Sequence, residues 1–289
     1  MKKKCSKKSI VLIAIVGIIF IVFGLTYVVK QFKDGNTPMD LSSIEVNEEF
    51  FNSMNEKELL HYKVINAIDF YETVEGEIYH FGFPSTDNGT TKCIVDIKNN
   101  RSLVHEETSN KNSDTIFNND GCIEFYNTDK TYRKIRTSTD EIAPNSNVKV
   151  SDLNKLMPKQ RYKDGDVLCR STNLTLGVSN SILDETYLGK YMEDYDSWSI
   201  EGNEEFIGRQ CTKISGKKGL VDHISKSEKY TALIDTETGI VLKYDELTSE
   251  DEAVVGFETK SIKFNEEYDF ELFDLSTEGY TEKVFEKKK

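Results

Sequence analysis

KYTALIDTETGIVLKYDEL (229–247) alternates apolar and polar side chains, crosses a short acidic turn ending in Gly239, and alternates again. A period of two puts every second side chain on one face, so the stretch reads as two strands with one face toward a core and one toward water. Its ETG turn sets Gly239 where a left-handed residue is wanted, which suits a bulged hairpin loop of about three to five residues. Tyr230, Ala232 and Ile234, then Val241 or Leu242, form the apolar face. That set suits a packed core and the wall of a greasy cavity equally. Only the cavity would be a function.

Similar alternation recurs on both sides. EGEIYHFGF (75–83) sets Ile78 and His80 against Tyr79 and Phe81, and KCIVDIK (92–98), CIEFYN (122–127) and TYRKIRTS (131–138) follow, separated by Asn, Asp, Ser and Gly. FIGRQCTKISG (206–216) leads into the hairpin and AVVGFETKSIKFN (253–265) comes after it. This is an antiparallel meander. Two amphipathic helices interrupt it. Leu60, Val64, Ala67, Ile68 and Tyr71 recur at spacings of three and four over 56–72, with Ser53 or Asn55 placed to cap the start. Leu188, Tyr191, Met192 and Tyr195 share one face of a second helix at 181–196. The expected class is therefore α+β, with a curved antiparallel sheet wrapping helices in one domain over 56–275.

The chain opens with a basic segment (1–9) and then runs from Ile10 to Val29, 20 residues without a charge. At about 1.5 Å per residue that run spans roughly 30 Å, the thickness of a bilayer core. Lys2, Lys3, Lys4, Lys7 and Lys8 precede it, which places the N-terminus in the cytoplasm. Tyr27, Val28, Val29 and Lys30 follow it in place of the small residues of a cleavage site, so an uncleaved signal anchor at 10–29 is expected over a cleaved signal peptide. A polar stalk (30–55) with Phe50 and Phe51 as an apolar patch then leads to the domain, and a charged tail (276–289) ends the chain. The expectation is a single-pass cell membrane protein with an extracytoplasmic domain. Beyond residue 33 there are 30 basic against 50 acidic residues, a net charge of −20. Such a surface repels phosphate backbones, so nucleic acid is not an expected partner.

Cys93, Cys122, Cys169 and Cys211 fall in the exported part. An even count in an oxidising compartment predicts two disulfides, with Cys93–Cys122 and Cys169–Cys211 favoured because neighbours in sequence tend to be neighbours in space. Their spacing matches no metal-binding pattern, and neither a metal nor a cofactor is expected. His61, His80, His105 and His223 accompany no nucleophile elbow, HExxH helix or phosphate loop, so catalysis is not expected. His61 begins the first helix and reads as a surface or interface side chain. Carboxylate pairs at Asp164/Asp166, Asp194/Asp196 and Glu204/Glu205 read as solvated turn and surface groups in a chain with 50 acids. Tyr187, Tyr191, Tyr195 and Trp198 near the second helix, with Tyr230 and Ile234 of the hairpin, are the candidate lining of a ligand cavity. Packing of that helix against the sheet explains the same residues.

HYKVINAIDFYETVEGEIYHF (61–81), DSWSIEGNEEFIGRQCTKISG (196–216), ALIDTETGIVLKYDEL (232–247) and SIKFNEEYDFELF (261–273) resemble exported proteins of Gram-positive bacteria in the LolA/RseB superfamily of lipoprotein-carrier and lipoprotein-sensor domains. The shared elements are Gly208, Arg209, Ile214 and Gly216 in one strand and Asp235, Thr238, Gly239, Leu242 and Lys243 in the hairpin. Ile262, Phe264, Asn265 and Phe273 close the set. The resemblance covers roughly 56–275 and implies an incomplete, strongly curved antiparallel β-barrel with helices on its concave side. It also implies that the concavity holds a lipid or a lipoprotein acyl chain, or docks a cell-envelope protein. A tethered chain cannot ferry cargo across a wide space, which favours a sensor or local holder over a shuttle. The alternative is a regulatory ectodomain that binds another envelope protein without lipid.

Overall fold

The computed structural model describes residues 41–83, 87–137, 143, 146–163, 166–168, 174, 188–218 and 227–283. The expected signal anchor, Cys5, Cys169, Tyr187 and His223 lie outside them. Among the described residues no helix is long and apolar enough to cross a membrane.

The first element is α1 (Glu48–Asn52), capped by the Asn47 side chain. Next, α2 (Glu56–Ile65) starts at Asn55, whose side chain accepts from the Glu58 amide while Glu58 accepts from the Asn55 amide, both at 3.0 Å. This reciprocal cap settles which of the two candidate residues starts the helix. The helix is shorter than the apolar spacing predicts, because the chain tightens into a 3-10 turn at Ala67–Asp69. Residues 41–55, expected as stalk, lie on the fold: Phe50 and Phe51 pack edge-on against Tyr62, and Leu41 joins a small cluster with Val148, Leu153 and Leu156.

Strands follow in order: β1 (Thr73–Phe81), β2 (Gly89–Asp96), β3 (Arg101–Thr108), β4 (Asn112–Asn118), β5 (Gly121–Tyr126) and β6 (Thr131–Ile135). A two-stranded ribbon, β7 (Tyr162–Lys163) with β8 (Asp166–Val167), and α3 (Gly189–Met192) intervene. Then come β9 (Trp198–Phe206), β10 (Arg209–Lys217), β11 (Lys229–Asp235), β12 (Val241–Leu247), β13 (Ala253–Phe264) and β14 (Thr281–Glu282). Among the described residues they form one open 12-stranded sheet in the order β14-β6-β5-β4-β3-β2-β1-β13-β12-β11-β10-β9. Every pairing is antiparallel except the short β14–β6 contact. Register shifts at Glu77/Ile78, Lys213/Ile214, Leu233/Ile234 and Glu246/Leu247 mark bulges. Bulges bend strands, and four of them fit a curved sheet.

The main core lies between one face of this sheet and α2. Leu60 and Val64 of the helix, with Ile68 and Tyr71 after it, meet Val74, Ile78, Val95, Ile214, Ile234, Leu242 and Phe257. The opposite face of β3–β5 is covered by the C-terminal segment. Phe273 is fully buried there, Tyr280 packs edge-on against Phe125, and β14 extends the sheet past β6. At the other edge, Glu201, Glu204 and Glu205 stand exposed on β9, a charged rim that discourages further strand pairing.

The hairpin turn presses on the helix. Gly239 has φ +79°, and a Cβ there would lie 2.4 Å from the Lys63 carbonyl carbon and oxygen. Both the left-handed backbone and the helix contact exclude a side chain. Gly239→Ala is therefore expected to cost about 2 kcal/mol or more, well above the usual surface substitution; chemical denaturation of the variant checks it.

The expected Cys93–Cys122 disulfide does not form. Cys93 on β2 is level with Val104, Thr115 and Glu124 on the next three strands, and Cys122 lies two residues further along β5. Three strand spacings separate the two cysteines by roughly 14 Å, about twice the Cα separation a disulfide bridges. Adjacency in sequence misleads here because two further strands lie between the pair. Cys93, Cys122 and Cys211 all carry free, buried thiols. Burial pushes Cys93 up to about 12 and Cys122 and Cys211 to about 11. Without thiolate they are poor nucleophiles, so all three are expected to resist iodoacetamide in the folded protein and to label fully in denaturant, read by peptide mass spectrometry.

Candidate functional site

The inner face of the sheet, the one that meets α2, gathers the aromatic residues. The Tyr230 and Tyr244 rings stack at 6.0 Å across β11 and β12, and Tyr244 stacks on Phe257 of β13 at 6.0 Å. Tyr191 of α3 adds a tilted contact to Tyr230 at 5.5 Å. Gly216 makes room for this band: a Cβ on it would meet the Tyr230 ring at 2.5 Å. Trp198 donates its indole N–H to the Met192 carbonyl at 3.2 Å and meets Tyr195 edge-on at 6.0 Å. Above it, Lys57 of α2 lies 4.8 Å from the ring centre.

Of the residues expected to line a cavity, Trp198, Tyr230 and Ile234 are buried in the core, and Tyr191 and Tyr195 are half-buried against it. Tyr187 lies outside the described residues. The apolar face of the hairpin thus packs against other described side chains. A cleft of about 640 Å³ opens beside it, bordered by Asp196, Ser215, Thr231, Leu247 and Asp251. It lies on the outward side, since Ser215 and Thr231 pair with each other and alternate with the buried Ile214, Ala232 and Tyr230. Trp198 and Tyr230 border it, but their rings are engaged in packing.

His61 is fully buried, not at the surface, and joins three parts of the cover. Its Nε2 lies 2.6 Å from the Tyr162 hydroxyl and its Nδ1 3.2 Å from the Tyr195 hydroxyl. Tyr162 donates its proton to the Gly189 carbonyl, so it accepts from Nε2–H. Nδ1 is then the acceptor for Tyr195. Burial, aided by the nearby Arg161 guanidinium, drives this imidazole down to about 3, so it is neutral at physiological pH. A neutral histidine with both nitrogens engaged is a tie between α2, β7 and the chain after α3. It has no free nitrogen to move a substrate proton.

Two polar groups interrupt the apolar wall. Lys218 and Glu246 form an ion pair whose side chains are almost wholly buried. Ser227 donates to Glu246 at 2.7 Å and Tyr244 donates to it at 3.2 Å, while Lys218 lies 5.5 Å from the Tyr191 ring centre. On β3–β6, Lys111 bridges Glu106 at 2.6 Å and Glu124 at 3.1 Å, and Glu124 also binds Arg133 and Tyr126. Glu124 is level with Thr115, Val104 and Cys93, so this network lies on the inner face too.

Part of the motif set, Arg209, Asp235, Thr238, Gly239, Phe264 and Asn265, assembles at one rim. Arg209 holds Asp235 through two hydrogen bonds of 2.6 and 3.1 Å, and its guanidinium lies 4.9 Å from the Phe264 ring centre. Asp235 also accepts from the Thr238 amide at 2.8 Å and hydroxyl at 3.0 Å. Lys63 of α2 donates to the Thr236 carbonyl at 2.6 Å. Asn265 accepts from the Glu72 amide at 2.9 Å, tying β13 to the start of β1. These contacts fix the hairpin, β13 and α2 to one another. Among the described residues no group of His, Cys, Asp and Glu is arranged to hold a metal.

No protein-family profile and no curated relative matches the chain. Solved structures of similar outline include Pseudomonas aeruginosa MucB in complex with MucA, at 9% identity, TM-score 0.41, and coverage of 77% of this chain and 62% of that one. The Mycobacterium tuberculosis lipoprotein LppX aligns at 13% identity, TM-score 0.39, over 74% of this chain and 99% of its own. LprF from Mycobacterium bovis aligns at 11% identity, TM-score 0.38, over 72% and 91%. The scores stay below 0.5, and no residue role passes from these proteins to this chain.

Proposed function

We propose that this chain is a membrane-anchored extracytoplasmic binding protein that holds a hydrophobic or lipidated ligand against the inner face of its sheet, without catalysis. The observation that carries the reading is the aromatic band Tyr191–Tyr230–Tyr244–Phe257 on the inner face of an open sheet, the face that also meets α2. An aromatic, apolar wall of this kind offers a greasy ligand a surface to lie along. The order of the motifs at 208–216, 235–243 and 262–273 supports the same reading. So does the uncharged run at 10–29, which would keep the domain beside the membrane from which such a ligand comes. Native mass spectrometry of residues 35–289, exported in a bacterial host and purified without detergent, tests it. Added mass that organic solvent releases as acyl chains is the expected result. A bare polypeptide mass, unchanged after incubation with lipoprotein extract, would sink it.

A regulatory ectodomain that binds another envelope protein is the second reading. Phe270 and Leu272 favour it, since they stand 67% and 44% exposed on the C-terminal segment. Replacing both with Asp would then abolish capture of a partner while leaving any bound lipid in place.

A further inference from the structure

Two side chains of the inner wall each carry a buried polar atom without a hydrogen-bond partner among the described residues: His80 Nδ1 and Thr259 Oγ1, on residues that are 98% or more buried. They are neighbours. On β1 and β13, Ile78 faces Thr259 and His80 faces Phe257, so His80 and Thr259 are diagonal partners on one face. Diagonal partners in an antiparallel pair lie about 7–8 Å apart, with their Cβ atoms somewhat closer. The row continues through Thr91 on β2, Glu106 on β3 and Ser113 on β4, all on the same face. The band Tyr230–Tyr244–Phe257 ends where this row begins. A buried polar atom left unbonded is destabilising, so two adjacent ones point to bonds supplied by a bound molecule.

The charges nearby are already used. Glu106, Lys111, Glu124 and Arg133 pair among themselves. Burial holds the His80 imidazole below its ordinary value, against an opposing pull from Glu106. What remains to offer is neutral hydrogen bonding.

Resting on the proposed function, we infer that the ligand is an amphiphile with an uncharged, hydroxyl-bearing head group, which His80 and Thr259 bind while its apolar part lies along Tyr230, Tyr244 and Phe257. The head group donates to or accepts from His80 Nδ1 and Thr259 Oγ1 without carrying a charge. A plain hydrocarbon would fill the band and leave both atoms unbonded, and an ester, which has acceptors only, could take a bond from the Thr259 hydroxyl but could give none.

The test uses the full chain in nanodiscs with two photoreactive probes, a diazirine-bearing monoacylglycerol and the methyl ester of the same acid. Labelling within residues 41–283 is read by peptide mass spectrometry. The wild type is expected to take about tenfold more monoacylglycerol than methyl ester, as one to two hydrogen bonds would give. His80→Phe and the near-isosteric Thr259→Val are each expected to pull that ratio toward one, with methyl-ester labelling unchanged and thermal melts confirming that both variants fold. Equal labelling of the wild type by the two probes overturns the head-group site and leaves hydrophobic holding in place. A ratio that survives Thr259→Val in a folded variant also overturns it. Absence of labelling by either probe removes hydrophobic holding and the head-group site together.

Discussion

Asp235→Ala is expected to destabilise the fold by about 3–5 kcal/mol, the range for removing one partner of a buried ion pair. Asp235 is fully buried beneath the hairpin turn and accepts from Arg209, Thr238 and the Glu237 amide. Alanine would leave the Arg209 guanidinium with the exposed Glu237 and the Phe264 ring, and it would unbond the turn amides that set Gly239 against Lys63. The loss therefore reaches α2 as well as the hairpin. Urea denaturation of the variant measures it, and a loss under about 1 kcal/mol would show that Arg209 and the turn close without the carboxylate. The same contacts predict a pH dependence. Burial pushes the Asp235 carboxyl up, but the Arg209 and Thr238 hydrogen bonds outweigh it and hold the group below its ordinary value. A depressed carboxyl stabilises the fold above the unfolded carboxylate range and loses that contribution as pH falls through the folded value. Stability of the wild type should thus drop between about pH 4 and lower pH more steeply than that of Asp235→Asn.

That cluster was the legible part of the chain. Alternation and the ETG turn placed the hairpin at 229–247, and the strands fall at Lys229–Asp235 and Val241–Leu247 with Gly239 left-handed between them. Strands β3 and β4 leave no such signature, because their inward positions carry Glu106, Ser113 and Thr115 and so show no apolar alternation. The exposed edge strand β9, with Glu201, Glu204 and Glu205, is hidden likewise. From sequence His61 reads as a surface or interface side chain, because its partners Tyr162 and Tyr195 lie 101 and 134 residues away, a pairing that only the fold creates. The unbonded atoms of His80 and Thr259 were equally invisible. The alternation in EGEIYHFGF set His80 on the Ile78 face but could not show that nothing would meet its ring nitrogen.

The Lys218–Glu246 pair separates a wall built only for packing from one that keeps a polar group for a reason. Glu246→Ala is expected to cost about 3–5 kcal/mol, since it removes a counter-ion from a buried ammonium. Tyr244 and Ser227 would also each lose a hydrogen bond. Lys218→Met should also destabilise, by removing a counter-ion from a buried carboxylate. The combined Lys218→Met, Glu246→Leu variant is expected to recover most of either loss, because apolar residues of similar volume often replace a buried ion pair at little cost. Chemical denaturation of the three variants closes the double-mutant cycle and isolates the coupling. If the double variant is as unstable as the singles, the pair is holding Tyr244 and Ser227 in place and the wall depends on it. If it recovers, the wall would fold as well without charge. Two charged side chains beside Tyr191 are then better explained by what the wall holds than by how it folds. Acyl retention by the recovered double variant, measured by the same native mass spectrometry, decides that point: a folded protein that no longer keeps lipid would place Lys218 and Glu246 in the binding surface.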